Sequence, residues 1–157
     1  MGQPTWREIK KLKVPEEGAG LWTTALDYVT LGKLYRLVVD SQPIAQPAEN
    51  QPTTQHQKWK PESSTGCTAD GDPSLVRSGS LVIETSAAGA LIAKVGGSTA
   101  DLKPDKDKLL IFSAGRHCVF SVTDPAKTGS LYLGINDTAG SQPKLTGQLE
   151  VTIFEAL

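Results

Sequence analysis

The chain reads as an all-β protein, a β-sandwich or a barrel, and a two-sheet β-sandwich of the jelly-roll kind is the expectation. Three observations predict this. Gly (15) and Pro (10) make up about a sixth of the 157 residues and leave few stretches free of helix breakers. Short aliphatic and aromatic runs recur, each bounded by turn-forming residues. The clearest run, Gln148-Leu149-Glu150-Val151-Thr152-Ile153-Phe154, alternates apolar and polar residues with a period of two. That period puts Leu149, Val151 and Ile153 on a core face and the polar residues in water. A helical bundle, a coiled coil and a wholly disordered chain are excluded, and no repeat of fixed period is present.

The elements follow in order. Residues 5–14 run from Trp6 to Leu12 and Val14 and carry Lys10, Lys11 and Lys13, which suits an edge strand that resists foreign pairing. Trp22, Thr24, Leu26 and Tyr28 alternate with Thr23, Ala25 and Asp27. Gly32 then introduces the strand Leu34 to Asp40. Residues 41–72 change character: Pro43, Pro47, Pro52 and Pro61 interrupt a Gln-rich stretch with almost no aliphatics after Ile44. This reads as one irregular loop, and a loop of that length is usually functional or partly mobile. Strands resume at 81–84, 90–95 (between Gly89 and Gly96-Gly97), 109–112, 118–122, 130–136 and 148–154. The predicted core is Leu37, Val39, Leu91, Val95, Leu133, Ile135, Leu149, Val151 and Ile153. The length suits a single domain over residues 1–157.

A formal net charge of −1 gives no basic face for nucleic acid. No apolar run is long enough to span a membrane as a helix. The first residues lack the apolar segment of a secretory signal, so the expected location is the cytoplasm as encoded, with non-classical export as the alternative. Cys67 and Cys118 are too few for a disulfide scaffold and read as reduced thiols, a bridge between them being the other option.

Catalytic and metal motifs are scarce. His56 and His117 are the two histidines, and His117-Cys118 on a strand would point to opposite faces, which suits no zinc site. There is no G-x-S-x-G elbow, P-loop or G-x-G-x-x-G. Nothing in the sequence supports pairing Cys67 with His117 as a nucleophile and base. Asp101, Asp105 and Asp107 alternate with Lys103, Lys106 and Lys108, which reads as a solvated connection. The chain is therefore expected not to be an enzyme.

Three stretches carry more shape. Gln57-Lys58-Trp59-Lys60-Pro61 leads to Cys67-Thr68-Ala69-Asp70-Gly71-Asp72; Gly89-Ala90-Leu91-Ile92-Ala93-Lys94-Val95-Gly96 follows; Leu133-Gly134-Ile135-Asn136-Asp137 runs on to Thr146-Gly147. Asp70, Asp72, Asn136 and Asp137 are hard oxygen donors suited to calcium, and are equally ordinary turn formers. Trp59 offers a flat surface for a sugar ring, or an anchor that packs its loop onto the core.

Together these stretches resemble the calcium-dependent galactose-binding lectins of the PA-IL type, over roughly residues 30–154. The resemblance rests on Gly71-Asp72, on Gly89 to Gly96, on Asn136-Asp137, on Gly147 to Ile153, and on Gln57 to Pro61. It implies a noncatalytic carbohydrate-binding module with a galactose-binding-like sandwich, a galactose-type glycan as ligand, and further copies of the chain as possible partners. It implies Trp59, Asp72, Asn136, Asp137, Ser141 and Lys144 as ligand-site positions. Asp137 and the Ser141 carbonyl would be what is left of the calcium site. The family's two adjacent asparagines fall here on Lys144 and Leu145, and its sugar-contacting His, Asp and Gln fall near Leu75, Arg77 and Ser78. Calcium wants several charged or amide oxygens, so two lost amides and a gained ammonium imply weak or absent calcium dependence. The expectation is that Lys144 occupies or borders the ion's place beside Asp137. The alternative function is a structural or protein-interaction sandwich that has lost sugar binding.

Overall fold

The computed structural model describes residues 5–15, 21–39, 41–43, 54–56, 60–61, 68–72, 80–137, 145–146 and 148–157. Its strands are β1 (Trp6–Val14), β2 (Trp22–Leu26), β3 (Tyr35–Val39), β4 (Ser41–Pro43), β5 (Thr54–His56), β6 (Lys60–Pro61), β7 (Leu91–Val95), β8 (Leu110–Ser113), β9 (His117–Phe120), β10 (Leu131–Ile135), β11 (Leu145–Thr146) and β12 (Leu149–Ala156). A single 3-10 turn, Pro125–Lys127, is the sole helical element among the described residues. Among the described residues no helix is long and apolar enough to cross a membrane.

Two antiparallel four-stranded sheets form a β-sandwich. Sheet I has the order β1-β12-β3-β9, and sheet II the order β2-β10-β7-β8. All nine expected core residues are buried between them, none more than 4% exposed. Fully burying a side chain such as Leu133, Leu149 or Ile153 contributes about 2 kcal/mol. The two sheets also meet through rings: Phe112 of β8 lies 4.8 Å from Phe120 of β9, which stacks on Tyr35 of β3 at 5.4 Å.

The lysine-bearing first strand is an edge, as its composition predicts, and pairs only with β12 among the described strands. Three expectations need correction. Leu81 to Glu84 is not a continuous strand: Leu81 makes an isolated β-bridge, and Val82-Ile83 is a bend leading into a turn at Glu84. Its backbone is claimed elsewhere, because Val82 N–H donates to the Asp137 carbonyl and Ile83 bonds the Asn136 side chain. Within the stretch 41–72, expected as one irregular loop and described only at 41–43, 54–56, 60–61 and 68–72, β4 pairs with β5 and β6 with β11. Such short polar strands have no apolar periodicity to reveal them. Thr152, expected in water, is 3% exposed, because its register neighbours Lys11 and Val38 flank it on the outer face of sheet I.

At one end of sheet I, Glu155 of β12 lies opposite Arg7 of β1, accepts from its guanidinium, and accepts from Lys33 at 2.8 Å. Lys33 and then Arg7 hold its carboxyl below the ordinary glutamate range. A depressed carboxyl contributes stability that is present above its unfolded pKa and lost as pH falls through its folded one. Glu155→Gln should therefore destabilise the protein at neutral pH and converge with wild type in acid. Urea midpoints measured down a pH series check this; a constant gap between the two proteins would contradict it.

Candidate functional site

Gly71-Asp72 and Asn136-Asp137 are far apart in sequence, yet they flank the same short segment, residues 87–91, where the chain enters β7. On one side, Asp70 bridges Ala90, Leu91 N–H donates to the Ala69 carbonyl, and Asp72 N–H donates to the Ala88 carbonyl at 2.9 Å. On the other, Gly89 N–H donates to the Asn136 carbonyl at 2.8 Å, and Asn136 N–H donates to the Ala90 carbonyl at 2.9 Å. The backbones at Asp72 and Asp137 therefore stand about two strand spacings apart, roughly 10 Å.

Gly71 makes the approach possible. It has φ +82°, and a Cβ there would lie 2.7 Å from Ala90 N and 2.8 Å from the Ala88 oxygen. Both obstacles are backbone, so neither can swing aside. Gly71→Ala should cost about 2–4 kcal/mol, from left-handed strain plus the clash, and should break the Asp72–Ala88 contact. Thermal unfolding reads the loss; a variant within about 0.5 kcal/mol of wild type would contradict it.

Asp70 is fixed from behind. Its Oδ1 accepts from Arg116 N–H at 3.0 Å and its Oδ2 from the Arg116 guanidinium at 2.5 Å. This closes the turn between β8 and β9 onto the same end of the sandwich. Arg116 was not legible as a partner, since 46 residues separate it from Asp70.

The expected ligand-site residues fall into three groups. Asp72 is half-buried and Asp137 is buried, both at this end. Asn136, expected as a ligand contact, is instead a clamp on the chain itself. Its Oδ1 accepts from Ile83 N–H, and its Nδ2 donates to the carbonyls of Ile83, Ser86 and Ala87 at 2.9–3.1 Å. At 1% exposure its amide serves the 83–87 turn and has no face left for a ligand. Trp59, Ser141 and Lys144 lie outside the described residues, and with them the expected pairing of Lys144 with Asp137. The strands next to two of them do meet: Lys60 pairs with Thr146, and Pro61 with Leu145.

In sequence, the positions that the resemblance assigns to calcium lack the two amide oxygens of a site of that kind. Leu145 offers no side-chain oxygen and Lys144 offers a cation. Among the described residues no cluster of three or more His, Cys, Asp or Glu could hold a metal. His117 is exposed, and its Nε2 accepts from Arg36 Nε at 3.0 Å. Cys118 is a free thiol whose pKa burial pushes up, which keeps it protonated and a weak nucleophile at neutral pH.

No family model matches the chain, and no curated protein matches it.

Proposed function

We propose that the protein is a noncatalytic, lectin-like carbohydrate-binding module that takes a galactose-type glycan with little or no dependence on calcium. The observation that carries the reading is the convergence of Gly71-Asp72 and Asn136-Asp137 on residues 87–91. Asp72, half-buried beside this segment, carries a carboxylate of the kind that accepts hydrogen bonds from vicinal hydroxyls, the chemistry by which polar groups orient a sugar. The resemblance to PA-IL-type lectins supports the reading and adds Trp59, Ser141 and Lys144 as ligand-site positions in the sequence, with Trp59 as a surface for a sugar ring. Lys144 in place of an amide ligand would supply a positive charge beside Asp137 where the resembling lectins use an ion. An array of glycans probed with and without a chelator tests this. Retention of galactose-terminated glycans, unchanged by chelator, is expected. An array on which nothing binds would favour a structural or protein-interaction sandwich instead.

A further inference from the structure

The opposite end of β7 holds a feature that the proposed ligand site does not use. Lys94 lies on the outer face of sheet II, yet it is fully buried. Its Nζ donates to the Ser98 carbonyl at 2.7 Å and to Asp101 Oδ2 at 3.2 Å. The same nitrogen lies 4.9 Å from the Trp22 ring centroid and 5.0 Å from that of Tyr132, its register neighbour on β10. Both rings reach the same turn themselves: Trp22 Nε1 donates to the Asp101 carbonyl at 2.6 Å, and the Tyr132 hydroxyl donates to the Gly97 carbonyl at 3.3 Å. Every one of these hydrogen bonds ends on residues 97–101. Gly97, at φ +79°, lets the backbone wrap close, since a Cβ there would sit 2.9 Å from Nζ.

We infer that residues 96–101 are a strap latched over the outer face of sheet II by the Lys94 ammonium, which serves as the built-in occupant of an alkylammonium site made by Trp22, Tyr132 and Asp101. Two aromatic faces, one carboxylate and carbonyl oxygens are the groups that recognise an organic cation. Asp101 is the carboxylate bonded to Nζ, while Tyr132 presents its ring to the nitrogen and spends its hydroxyl on the Gly97 carbonyl. Burial pushes the Lys94 pKa down, while Asp101 raises it. Removing one partner of an ion pair is costly when it strands the other charge in the interior, but the Asp101 side chain is 28% exposed and can take water once the ammonium is gone. The latch is thus distinguished from an ordinary core residue: its loss disorders the strap while leaving the sandwich largely as stable. The strap lies about one β7 length, roughly 17 Å, from residues 87–91, so the inference does not rest on the proposed function.

Hydrogen exchange read on the full chain tests it. The reporter is the Asp101 amide, which donates to the Ser98 carbonyl at 3.3 Å. Lys94→Met keeps the stem and removes the charge. It should speed exchange at the strap by on the order of tenfold, with β12 amides and the urea midpoint little changed. Lys94→Ala should open the strap, and millimolar propylammonium should close it again where n-propanol does not. Wild-type protection of the strap in Lys94→Met would overturn the inference, as would equal rescue by the alcohol and the amine. If Lys94→Ala does not fold, the Lys94→Met result alone decides.

Discussion

Replacing Asn136 by Asp should remove about 3–5 kcal/mol of stability, the largest loss expected from any single isosteric change at the candidate site. The reason is a count of donors and acceptors. The Asn136 amide accepts once, from Ile83 N–H, and its NH2 group meets three carbonyls. A carboxylate keeps the acceptor and loses every donor, so the oxygens of Ile83, Ser86 and Ala87 would face negative charge in a site only 1% exposed. Asn136→Ala should cost less, about 2–4 kcal/mol, because it orphans the three carbonyls and the Ile83 N–H without adding charge. For a chain of this size the thermal midpoint falls by about 2–4 °C per kcal/mol. Chemical denaturation of both variants checks the order. If Asn136→Asp proved as stable as wild type, the clamp on the 83–87 turn would be unimportant.

Gly134→Ala should cost about 2–3 kcal/mol, and Gly134→Val more. Gly134 sits mid-strand in β10, where a glycine ordinarily weakens a sheet. Its backbone lies outside the left-handed range, so the requirement is purely spatial. A Cβ there would lie 2.5 Å from the Leu21 carbonyl oxygen and 3.0 Å from Trp22 Cε3. Relief requires β2 to move away from β10 or the buried Trp22 ring to leave its seat. Because Trp22 also holds the Asp101 carbonyl, the disturbance should reach the 96–101 strap. Near-ultraviolet circular dichroism and Trp fluorescence should change together with the lost stability. An alanine variant with native spectra and an unchanged midpoint would contradict the tight packing described.

The sandwich was legible because the core strands obey period two. Leu149, Val151 and Ile153, and Leu133 with Ile135, announce their faces without help from tertiary context. Leu81 to Glu84 was misleading for a physical reason. Its apolar run has the composition of a strand, but its hydrogen bonds go to Asn136 and Asp137, which lie more than fifty residues further on. The site was half legible. Gly71-Asp72 and Asn136-Asp137 are visible as motifs, while their shared neighbour at 87–91 and the fixing of Asp70 by Arg116 exist only once the strands are paired. Lys94 is conspicuous in sequence as the one polar residue between Ala90 and Val95. Period two alone sends it to a solvated face; the strap that buries it comes from residues 96–101 folding back.

The most direct test of the central claim is a titration of the isotopically labelled protein with galactose, followed through its backbone amide signals with and without chelator. The account predicts graded, saturable shifts centred on Asp70 to Asp72, Ala87 to Ala90 and Asn136-Asp137. These should be the same with chelator present and lost in Asp72→Ala. Amides at that end that stay fixed at saturating sugar, or shifts that appear only when calcium is added, would contradict it.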